Sequence, residues 1–81
     1  MIAVTNVAGD EADVTYAIDV ASTMFSADDH SATPGGQLST SYTQVDHNTI
    51  RITFDASIEG ESGISFSGNE AGYLNPQSID F

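Results

Sequence analysis

The sequence predicts a single all-β domain spanning residues 1–81, a small antiparallel β-sandwich or open barrel of five to six short strands. Three observations lead there. Apolar residues recur at every second position in several runs. No stretch has the spacing of an amphipathic helix. Short polar segments rich in Gly, Asp, Asn and Pro separate the runs.

The clearest run is Asn48–Ile58, where Ile50, Ile52, Phe54, Ala56 and Ile58 alternate with Thr49, Arg51, Thr53, Asp55 and Ser57. Side chains on a strand point alternately to opposite faces, so this spacing predicts one apolar face on a central strand. Ile2–Val7 reads as a first strand with Asn6 making its end ragged, and Gly9–Asp13 as a turn. Val14–Ala21 reads as a second strand that forms a hairpin with the first, with Val14, Tyr16, Ile18 and Val20 on one face. Ser22–Gln37 reads as a long irregular connection in which Ser26 could cap one helical turn before Pro34-Gly35-Gly36. Leu38–Val45 is a weaker strand, rich in Ser and Thr and so expected at a sheet edge, with Leu38, Thr40, Tyr42 and Gln44 on one face. Glu59–Gly63 reads as a hairpin turn from the central strand to a return strand, Ile64–Ser67, with Gly60 and Gly63 as turn residues. In the tail, Asn75-Pro76 marks a turn and Ile79 and Phe81 alternate again.

The chain carries 12 acidic residues against one cation, Arg51, for a formal net charge of −11. Phosphates and anionic lipid surfaces need cations, so neither nucleic acid nor membrane is an expected partner. Lysine is absent, which suggests a saline source where ions screen self-repulsion; an ordinary acidic bias is the plainer reading. Hydrophobic residues make up 40% of the chain and sit in period-two runs, which argues against disorder. No cysteine can staple this small domain, and two histidines do not suggest a structural zinc site. Small domains without staples often gain stability by associating. Met1 is followed at once by Ile2-Ala3-Val4, with no basic segment before a long apolar stretch, so neither a signal peptide nor a membrane span is expected. The expected location is the cytoplasm or a virion.

Few residues suggest chemistry. Asp10, Glu11 and Asp13 form one acidic group, and Asp28 and Asp29, joined by Asp46 and Asn48, form another. Calcium takes six to eight oxygen ligands from such loops, but neither group follows an EF-hand pattern, and solvated loops are the expectation. His30 and His47 each follow an aspartate, as a base or ligand held by a carboxylate would. A catalytic reading needs a third partner that the sequence does not single out, so exposed turn histidines are expected and catalysis is not. Arg51 is expected to pair across strands within its own sheet.

Asn48–Ser57 resembles a strand of cohesin-like adhesive β-sandwiches; the resemblance covers this strand alone and implies no function for the remainder. Tyr73, Leu74, Ile79 and Phe81 are the candidate interface residues, because a chain segment at an end is usually polar. Two readings stay open: the tail completes this chain's own sheet, or it adds a strand to a neighbour. The expected function is a non-enzymatic structural protein, without cofactor or metal, that packs onto a larger homo- or hetero-oligomeric assembly such as a virion capsid, which it decorates and stabilises. On assembly Ile79 and Phe81 would lose exposure. The alternative is a carbohydrate- or calcium-binding module using Tyr16, Tyr42 or Tyr73 as stacking surfaces.

Overall fold

The computed structural model describes residues 1–68 and 74–81. Among them lie seven strands: β1 Ala3–Ala8, β2 Glu11–Thr15, β3 His30–Thr33, β4 Ser39–Asp46, β5 Thr49–Phe54, β6 Gly63–Phe66 and β7 Gln77–Asp80. They form two antiparallel sheets, in the orders β1-β2-β5-β4 and β3-β6-β7. The all-β architecture is the expected one. The strands outnumber the expected five to six because Ser22–Gln37 contains β3 and a 3-10 turn, Ser22–Met24.

Period two sets up the first sheet. On β5, Ile50, Ile52 and Phe54 are buried as the alternation predicts. The strand stops at Phe54, short of the expected Ile58. Asp55 N–H bonds Leu38 O and Ile58 N–H bonds Gly9 O, each at 2.9 Å, so the chain bends, Ala56 is exposed and Ile58 returns to the core. β1 and β2 form the expected hairpin, but its turn is only Gly9-Asp10, with Gly9 at φ +59°. Asp13 belongs to the ladder, opposite Arg51. Asn6, at φ 54°, lies in a register shift between Thr5 and Ala8, a bulge rather than a frayed strand end.

β2 ends at Thr15, not Ala21, because its neighbour β5 begins at Thr49 opposite it. Beyond that point the turn residues Asn48 and His47 offer only isolated carbonyls, to Tyr16 N–H at 2.8 Å and Val20 N–H at 2.9 Å. Tyr16 and Val20 still reach the core, while Ile18 is exposed. On β4, an edge strand as expected, the register slips between Ser39 and Ser41. That bulge overrides simple alternation and directs Ser39 and Tyr42 to the same inner side.

The second sheet differs more from expectation. Glu59–Gly63 is not a hairpin turn. The chain there crosses from one sheet to the other, and β6 pairs with β3 and β7 rather than β5. Gly60 is a turn residue, at φ +89°. Gly63 is not: it sits in β6, where a Cβ would collide with the carbonyl oxygen of Ile79. The segment around Ser26 makes a turn with Asp28 at φ 71° rather than a helical start.

One side of the sandwich is stitched. Ser31 bridges Leu38, Asp28 N–H bonds Ser39 O at 2.8 Å, and Ala32 N–H bonds Gln37 O at 2.8 Å. On the other side β1 packs beside β7, with no ladder between them among the described residues. The core between the sheets takes Val14, Ile50, Ile52 and Phe54 from the first and Ala32, Ile64 and Phe66 from the second, and is closed by Val20, Phe25 and Ile58 from connections.

Candidate functional site

A buried polar network is built on His30. The residue opens β3 opposite Phe66, and its inward strand position buries it to 1% exposure. Its ring stacks on Phe66 with centroids 4.5 Å apart, and Phe25 meets it edge-on at 5.3 Å. Tyr16, just past β2, places its hydroxyl 2.5 Å from His30 Nε2. Tyr42 of β4 places its hydroxyl 2.8 Å from Nδ1 and 2.7 Å from Ser39 Oγ. Ser39 Oγ also accepts the backbone N–H of His30 at 3.0 Å. The chain Tyr16–His30–Tyr42–Ser39 therefore runs from the first sheet to the second and back.

Neutral His30, both tyrosines and Ser39 bring four side-chain protons to three links, so one hydroxyl proton at one end of the chain is left over. A protonated His30 would donate at both nitrogens and leave over a second. Burial opposes that charge too, and pushes the His30 pKa down to about 3. Burial likewise pushes Tyr42 up to about 12 and raises Tyr16. A general base needs a pKa near the working pH and access to a substrate. His30 has neither, and the network ties the two sheets together. The expectation of an exposed turn histidine is corrected here. The carboxylate of Asp29 does not hold the ring; it accepts Ser26 N–H at 2.8 Å.

His47 lies where expected, in the exposed turn before β5. Its Nδ1 is 2.8 Å from Asp46 Oδ1, and its Nε2 is 3.8 Å from Asp19. The Asp46 carboxylate raises its pKa. Arg51 pairs with Asp13 inside its own sheet, through Nε to Oδ1 at 2.8 Å and a terminal nitrogen to Oδ2 at 3.2 Å. Asn6 Nδ2 donates to the same Oδ2 at 2.9 Å. Asp13 is thereby satisfied although buried, and its pKa is lowered chiefly by the Arg51 hydrogen bond.

The two acidic groups do not converge. Asp13 is committed to Arg51, Asp29 to Ser26, and Asp46 to His47. Among the described residues no three His, Asp or Glu side chains are placed to hold a metal, and no pocket opens. Tyr16 is buried and offers no open ring for a sugar, and half-buried Tyr42 stacks one face on Phe25 at 5.2 Å.

In the tail, β7 pairs with β6, so Ile79 belongs to the chain's own sheet. Ile79 and Leu74 are partly buried against the core, and Phe81 remains 43% exposed. Tyr73 lies outside the described residues. Among the described residues the other large exposed apolar side chains are Ile2, Ile18, Leu38 and Val45. Ile2, Leu38, Val45 and Phe81 all lie in or directly beside the edge strands β1, β4 and β7. Sequence reasoning found Phe81 but missed the His30 network. Tyr16 carried a usable signal, a polar tip on an inward strand position, whereas Ser39 carried none. Compared with protein-family models, with curated proteins and with solved structures, the chain matches none.

Proposed function

We propose that the protein is a non-enzymatic structural component that docks on a larger assembly, with a virion capsid in salty surroundings as the setting that best fits its size and acidity. The observation that carries this reading is the placement of exposed apolar side chains. Ile2, Leu38, Val45 and Phe81 flank or occupy edge strands, whose unpaired backbone groups are templates for association. The buried His30 ring and the Asp13 carboxylate, by contrast, are committed to partners within the chain. A net charge of −11 favours a basic partner surface or screening by salt.

Sedimentation of a native extract through a density gradient, with the protein followed by antibody, tests this reading. Migration with particles far heavier than the 8.5 kDa chain supports it. Migration at the mass of the free chain, at both low and high salt, overturns it. The interface variant of choice is Phe81→Ser. Truncation at residue 78 would remove most of β7 and uncover Ile64, so it would confuse release with unfolding.

A further inference from the structure

We propose that the outer edge of β7 is a strand-docking site for an extended basic segment of a different protein, one that alternates apolar residues with Lys or Arg. The proposal rests on the docking reading above and names its site and partner chemistry.

The backbone pattern identifies the groups on offer. In an antiparallel ladder, alternate residues direct both N–H and C=O toward the neighbour. Phe81 N–H bonds Ser62 O at 3.0 Å, and the register continues Ile79 to Ile64 and Gln77 to Phe66. These three residues therefore face β6. Ser78 and Asp80 turn their N–H and C=O groups away from it, and no ladder meets them among the described residues. β7 keeps a regular register over its whole length, whereas β1, which packs beside it without a ladder among the described residues, is interrupted by the bulge at Asn6. Bulges blunt an edge against pairing, so β7 is the better template.

The side chains select the occupant. Ile79 and Phe81 share one face of β7, and both are left incompletely covered, so an added strand would lay apolar residues over them. Asp80 is exposed on the other face, where an opposing Lys or Arg forms a favourable cross-strand pair. A second copy of this chain is disfavoured: it brings another −11, and the only cation it has, Arg51, is already bound to Asp13.

The test uses the full chain with a short peptide alternating valine and lysine, followed by NMR and calorimetry. Slowed exchange of the Ser78 and Asp80 amides is expected, with binding that weakens as salt rises. Ser78→Pro removes one outward N–H and is expected to weaken binding about tenfold, the worth of one hydrogen bond. Asp80→Lys, which leaves the backbone intact if Ser78→Pro fails to fold, is expected to weaken binding of the valine–lysine peptide and narrow its advantage over a valine–glutamate peptide. Equal binding of both peptides to the unaltered protein, protection at β1 instead of β7, or no binding overturns the proposal. If the protein still travels with heavy particles in the gradient, such a failure removes the β7 site alone; if it does not, the docking reading fails with it.

Discussion

His30 and His47 share the same local sequence, an aspartate followed by histidine, and meet opposite fates. His30 is buried among aromatic rings with both nitrogens occupied by tyrosine hydroxyls, and its pKa is pushed down to about 3. His47 has a side chain 66% exposed, and its aspartate holds the proton on, raising its pKa. The difference lies in what the fold packs around each ring. His30 stands on the inward side of a strand facing another sheet, while His47 stands in a turn where water and two carboxylates surround it. The same dipeptide is therefore a neutral tie in one place and a solvated acid–base pair in the other.

The comparison breaks most visibly if His30 is removed. His30→Ala leaves a cavity beside Phe66 and strands the hydroxyl of Tyr16, while Tyr42 keeps only Ser39, at a cost of about 3–5 kcal/mol. A domain of this size has a total stability of the same order. Urea unfolding is expected to show a large loss of native protein at room temperature, and a midpoint within error of the unaltered chain would contradict the tie.

Acid titration sharpens the contrast without removing a side chain. The folded His30 pKa lies below the ordinary histidine value of 6.5, so between 6.5 and about 3 the unfolded chain binds the extra proton. Stability attributable to His30 therefore falls as pH is lowered through that window, by roughly 1.4 kcal/mol per pH unit. His47 has the opposite sign. Its contribution is present below the ordinary histidine value and is lost as pH rises through its raised one, and its exposure keeps it small. Denaturation across this range is compared with His30→Phe, which keeps an aromatic ring on Phe66. The difference between the two should grow as pH rises; a constant difference would mean that His30 titrates normally.

Smaller effects apportion the tie. Tyr16→Phe and Tyr42→Phe each remove one hydroxyl from the chain and are expected to destabilise by about 1 kcal/mol, with the double substitution departing from the sum because His30 is their shared partner. Calorimetric melting of the three variants measures this, and strict additivity would show that His30 does not couple them. At the low end, His47→Ala is expected to leave the melting temperature unchanged within error, and the imidazole signal it deletes should be the one that titrates above the ordinary histidine value in NMR.

The candidate sites were legible to the extent that they are local. That Arg51 pairs within its own sheet followed from its place on β5, but its partner did not, since Asp13 reads as part of a turn and only the register places the two opposite each other. Phe81 stood out as an apolar residue in a tail, and it is exposed. The His30 network was not legible, because its members come from β3, β4 and the segment after β2, and a bulge in β4 is needed to aim Ser39 and Tyr42 together. The position of β6 was misread for a related reason. A glycine-bracketed segment after a strong strand resembles a hairpin turn, yet Asp55 and Ile58 bond to Leu38 and Gly9 and turn the chain toward the other sheet.

By itself, the sequence determined the all-β class, the inward face of β5, and the acidic surface around one cation. These depend on the period of the strand and on charge count, which are set by covalent geometry and composition. Tertiary structure alone decided that Ile64 leaves the central sheet, that Gly63 must admit the Ile79 carbonyl, and that His30 is neutral. Each of these is a contact between residues far apart in the chain, and no local pattern encodes which distant backbone or ring will fill the space beside a side chain.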